Sequence, residues 1–213
     1  MEALTTLLST QTPLLPPAGW VGVYRVLGWG LVLAGIALWC LRRSGKRPAW
    51  QRGLPLLLLL WCLWPGPLSP AYWLGLAFRV PSLLLVLLSA WFLLSHYRPQ
   101  LLPPFPLADL RRWVLAPVLL GWVLLLDAFA LWPFSLYSLG FAPLTFGVLV
   151  LLCLLPWAWH GVAQPSILLV SALALFVLLR LPTGNVWDAL LDPWLWLLLQ
   201  TDWLQRRLRR AQG

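Results

Sequence analysis

Three of the chain's six acidic residues fall between Arg180 and Asp202, in RLPTGNVWDALLDPWLWLLLQTD, a stretch flanked by strongly apolar segments. Wound at 100° per residue, a single helix here carries Asn185, Asp188 and Asp192 on one stripe. Carboxylates can act as bases, proton relays or metal ligands. Two of them offer too few oxygens for a hard cation, and the two histidines, His96 and His160, lie far off in sequence. No metal and no other cofactor is expected. Asn185 also stands where an N-cap belongs, with Asp188 near the positive end of the same helix dipole. Capping is the role expected of Asn185.

Other chemistry-bearing groups are isolated. Neither HExxH, GxSxG, Walker A nor GxGxxG occurs, and Ser135, Ser138, Ser166 and Ser171 have no base beside them. Cys40, Cys62 and Cys153 stand alone in apolar segments, as small buried hydrophobes do. No catalytic residue is assigned, and a non-enzymatic role is favoured.

The elements that must position these groups are membrane helices. The chain is 61% hydrophobic and 10% charged, with a mean hydropathy of +0.83. That is far too little charge to cover a water-facing surface. Continuous apolar runs recur along its length, which predicts a polytopic all-α membrane bundle and excludes an alternating β-barrel. The whole of 1–213 is expected to form one transmembrane domain, with an extramembrane lead-in at 1–19 and a basic tail at 205–213. The lead-in lacks the basic region and long apolar core of a signal peptide.

About seven segments are expected: Trp20–Leu41, Leu54–Trp64, Ala71–Ser95, Trp113–Trp132, Phe141–Trp159, Ser166–Leu179 and Val186–Leu204. The second is short, so it spans a thinned region or re-enters. Pro81 is expected to kink the third. Basic loops set orientation. Arg42, Arg43, Lys46, Arg47 and Arg52 place the first loop inside, Arg98, Arg111 and Arg112 the next, and Arg206, Arg207, Arg209 and Arg210 the tail. The crossings then close with the N-terminus outside and the C-terminus cytoplasmic. Most of the 17 tryptophans lie near segment ends, as an interfacial belt requires. No internal period or inverted repeat is visible.

This topology places Arg25, Arg79, Asp127, Arg180, Asp188 and Asp192 in one layer, roughly 5–12 Å below the outer surface. Isolated charges there would each cost ~2.5–3.5 kcal/mol, so mutual pairing is expected. The layer is either a set of interhelical ion pairs or a polar cavity whose arginines hold an anionic group. A net charge of +9 distributed over loops and tails fits anionic headgroups rather than nucleic acid. The expected partners are membrane lipids, with a membrane-protein partner or a second copy of the chain as further options. Lys46 is the only lysine, a bias that fits a GC-rich bacterial genome and an inner-membrane address.

Three functions remain, ranked in this order. The first is a non-catalytic subunit or scaffold of an envelope assembly. The second is a transporter or flippase-like protein for an anionic lipid or small solute. The third is a membrane-embedded transferase acting on a lipid-linked substrate.

Overall fold

The computed structural model describes residues 15–45, 47–104, 114–131, 133, 135–160 and 163–211. Among them the chain is all-α, with nine α-helices, one 3-10 turn and no strand. Two compact units form, one within Pro16–Phe105 and the other within Pro106–Gly213.

The first unit is built on α1 (Ala18–Arg43), which packs against α2 (Pro48–Cys62), α3 (Pro70–Phe78) and α4 (Leu83–Tyr97). Helix α1 ends at Ser44, whose hydroxyl donates to the Cys40 carbonyl, and Gly45 turns the chain at φ +63°. Pro48 and Pro70 open α2 and α3 in the first turn, where a missing N–H costs nothing. The core of this unit gathers Ala34, Leu38 and Leu93, with Leu31, Leu59, Phe92 and Tyr97 packed around it.

The second unit holds α5 (Leu115–Ala128), a 3-10 turn (Ser138–Phe141), α6 (Pro143–His160), α7 (Ala163–Leu179), α8 (Val186–Leu190) and α9 (Pro193–Ala211). Helix α6 packs on α7, α5 on α9, and the short α8 on α7 and the 3-10 turn.

One described helix, α1, is long and apolar enough to cross a bilayer. Two expected long segments are cut instead. The third is a complete break rather than a kink: α3 stops at Phe78 and α4 starts at Leu83, with Ser82 accepting from the Leu85 N–H as its cap. The last divides at Leu191–Asp192. Pro193 forces the preceding residue out of helical geometry, and Asp192 restarts the chain by accepting from the Leu195 N–H at 2.6 Å. The continuous stripe through Asn185, Asp188 and Asp192 therefore does not exist. Asn185 caps α8, Asp192 opens α9, and only Asp188 lies inside a helix.

Candidate functional site

The six charged residues of the expected layer and Asn185 divide between the units, Arg25 and Arg79 in the first and the remaining five in the second. In the first unit, Arg25 and Trp29 lie one turn apart on α1 and meet α3 at Gly75 and Arg79. Gly75 is needed because a Cβ there would sit 2.5 Å from Arg25 Cδ. The Arg25 stem lies along that notch, and its Nε is buried with no hydrogen-bond partner. Arg79 ends α3 at φ 59°, ψ −102°, a conformation that strongly favours glycine. Helix α1 satisfies the carbonyls this break exposes. Trp29 Nε1 donates to Arg79 O at 3.1 Å, and the Tyr24 hydroxyl donates to Pro81 O at 2.9 Å.

In the second unit, Asp127 sits at the C-terminal end of α5, which closes with Ala130 at φ 53°. The chain then folds back over the carboxylate. Asp127 accepts from the Leu136 N–H at 3.0 Å, from the Tyr137 N–H at 2.7 Å and from the Ser135 hydroxyl at 3.3 Å. Tyr137 then reaches across to α8, its hydroxyl donating to Asp188 Oδ2 at 2.7 Å, and the Thr183 hydroxyl donates to the same oxygen. Asn185 is fully buried. Its Oδ1 accepts from the Trp187 N–H at 2.9 Å, and its Nδ2 donates to Tyr137 O at 2.9 Å. Trp187 Nε1 donates to Leu136 O at 3.1 Å. Gly140 closes the knot, because any Cβ there would collide with the Asn185 amide.

Asp127, Asn185 and Asp188 thus come together in one network, bound by neutral donors. Mutual charge pairing is not what holds Asp127 or Asp188. Arg180 stands at the rim at φ 55°, its guanidinium 5.5 Å from the centre of the Phe176 ring, one turn earlier on α7. Asp192 serves α9. Among the described residues the ion pair inside this unit is Arg206–Asp202, one turn apart on α9. Asp202 was not a candidate residue.

Sequence spacing did not single out Ser135, Tyr137, Thr183 or Trp187. Tyr137 and Ser135 are two of the hydroxyls of the PFSLYSLG connection; Ser135 donates to the nearby Asp127 carboxylate, and Tyr137 to that of Asp188, 51 residues on. Trp187 is buried and bonded rather than part of a belt, as is Trp29. The chain also carries a four-residue echo: Arg79-Val80-Pro81-Ser82 and Arg180-Leu181-Pro182-Thr183 both begin with an arginine at positive φ that ends a helix.

Among the described residues no group of three His, Cys, Asp or Glu side chains could hold a metal ion. No family model matches the chain, and no curated protein or solved structure matches it.

Proposed function

We propose that this is a multi-pass membrane protein of a bacterial inner membrane, acting as a non-catalytic subunit or scaffold. The observation that carries the non-catalytic part is the knot. Asp127 and Asp188, two of the carboxylates best placed to do chemistry, are occupied by donors from their own unit. A carboxylate held by three donors of its own turn, as Asp127 is, serves as a structural anchor rather than a base.

Two features support the membrane reading. Large apolar side chains face outward across the described helices, with Leu60 62% exposed, Leu151 68% and Leu178 76%, a surface that lipid would solvate and water would not. The non-helical breaks at 79–82 and 180–185 take protein hydrogen bonds at Arg79 O, Pro81 O, Ser82 and Asn185, as irregular backbone at membrane depth needs. In this reading α3 with α4, and α8 with α9, are broken spans, the N-terminus is outside and the tail is cytoplasmic. Cys40, exposed at the inner end of α1, tests the orientation. A membrane-impermeant maleimide should label it only after the cells are opened, and labelling of intact cells would reverse the topology.

The scaffold reading is tested by native mass spectrometry of protein extracted in mild detergent from its own membrane. A stoichiometric protein partner, retained when Asp188→Asn is introduced, is the expected result. A lone chain whose biological activity disappears with Asp188→Asn at normal abundance would overturn it. The second reading, handling of an anionic lipid or solute, draws on Arg25, whose buried Nε has no partner, and on the strained Arg79 beside it. Loss of a retained anionic ligand on Arg25→Gln would favour that reading over the scaffold.

A further inference from the structure

At the opposite end of the first unit from Arg25, helices α1, α2 and α4 enclose an open cleft of about 290 Å³. Leu31 and Ala34 of α1, Pro55, Leu56 and Leu59 of α2, and Ala90, Leu93, Leu94 and Tyr97 of α4 supply its walls. The one polar group on its rim, the Tyr97 hydroxyl, is already spent on Arg52 O at 2.7 Å. Water entering it would find no partner, so the cleft suits a hydrocarbon chain.

All three walls run to the same end, and each finishes in cations. Arg42 lies two turns beyond Ala34 on α1, its guanidinium 5.6 Å from the Phe92 ring centre. Arg52 lies one turn before Leu56 on α2, and Arg98 directly follows Tyr97. Among them, His96 stands within electrostatic reach of both Arg42 and Arg52, packed edge-on to Tyr97, and its buried Nε2 has no hydrogen-bond partner. Among the described residues no acidic side chain lies in this unit to neutralise the cluster.

We infer that the cleft holds one acyl chain of an anionic phospholipid, whose phosphate is gripped by Arg42, Arg52 and Arg98 with His96 beneath. Complementarity carries the assignment: a dry apolar slot opens on a concentrated, uncompensated positive end, the inverse of that lipid's own profile. The cations stand at the same end of three helices, so the headgroup would pin α1, α2 and α4 together at the end where the 44–47 connection joins α1 to α2. The inference rests on the membrane reading above and adds a specific resident ligand to it.

The test uses the full chain, purified in detergent and stripped of lipid, then offered phosphatidylglycerol or phosphatidylcholine with identical chains. Native mass spectrometry and thermal unfolding report retention. The expected result is preferential retention of phosphatidylglycerol, reduced about fivefold for each of Arg42→Gln and Arg52→Gln, both exposed positions. Leu56→Trp, at a half-exposed position on the wall, should lower retention of both lipids, and Ala90→Leu should do the same from the facing helix. Equal retention of the two lipids overturns the proposal, and so does a preference that survives the arginine changes or the filled cleft. A homodimer whose interface covers the cleft would overturn it as well. Alkaline extraction of the source membranes separates the two levels. A chain released by alkali defeats the membrane reading itself, whereas an integral chain without the lipid preference defeats only this inference.

Discussion

The two helix breaks start from nearly the same residues, Arg-Val-Pro-Ser at 79–82 and Arg-Leu-Pro-Thr at 180–183, and arrive at different solutions. In each, an arginine at positive φ ends a helix and a proline prevents its continuation. The first break is short, and neighbouring aromatics prop it: Trp29 and Tyr24 lend single N–H and O–H donors to its carbonyls. The second is longer and self-tied, with Thr183, Asn185 and Asp188 exchanging bonds with Tyr137 and Trp187. Similar residues therefore do not dictate the same polar chemistry. The neighbours differ. Helix α1 offers the first break two amphipathic rings, whereas the turn after α5 offers the second a carboxylate-anchored loop.

The difference should appear most strongly in stability. Asn185→Leu leaves the buried Trp187 N–H without its acceptor and takes from the Tyr137 carbonyl one of its two donors, the Gly140 N–H remaining, and should cost ~2–3 kcal/mol, measured by thermal unfolding in detergent. A cost below about 1 kcal/mol would mean that the second break is propped as loosely as the first. Trp29→Phe or Tyr24→Phe removes one donor from the first break and should cost ~1–2 kcal/mol each. Because both props serve one break, the double variant should fall short of, or exceed, the sum of the singles. Strict additivity would show two independent props. Asp188→Asn keeps an acceptor for Tyr137 and Thr183, so it should cost about 1 kcal/mol or less and leave abundance unchanged. Unfolding of that variant would reveal a charge requirement that the neutral donors do not explain.

The smallest effects are the most discriminating. Ala130→Gly relieves a left-handed backbone at a residue with no other duty, and should gain about 1 kcal/mol. Arg79→Gly and Arg180→Gly relieve the same kind of strain. If those arginines serve only as helix stops, their gain should match that of Ala130→Gly. A shortfall at either one measures what its guanidinium contributes, and would show which break uses its arginine for more than the bend.

The all-α class was legible because long apolar runs with few charges admit little else. The cap at Asn185 was legible because a short polar residue ahead of an apolar run has few other uses. Pro81 signalled a kink, where the chain instead breaks the helix completely. Asp192-Pro193 carried the same signal, but hydropathy continuing through Trp194 to Leu199 masked it, and a helix-wide stripe was drawn across a discontinuity. The knot was not legible. Its defining pairs join Tyr137 to Asp188 and Asn185 across some fifty positions, and no local pattern encodes such a pairing. Charge balance suggested that aspartates would find arginines, whereas short turns supplied backbone N–H donors closer to hand.

The same sequence distances set an order of events. Asp127 finds its backbone donors only nine and ten residues downstream, so its bonds can close as soon as that turn has left the ribosome. Tyr137 must wait for Asp188, 51 residues later, and the closure entropy of that longer loop delays it further. The first unit, whose helices adjoin in sequence, is free to assemble ahead of both. During synthesis, then, the Asp127 carboxylate is covered early, and the tie that completes the second unit comes late.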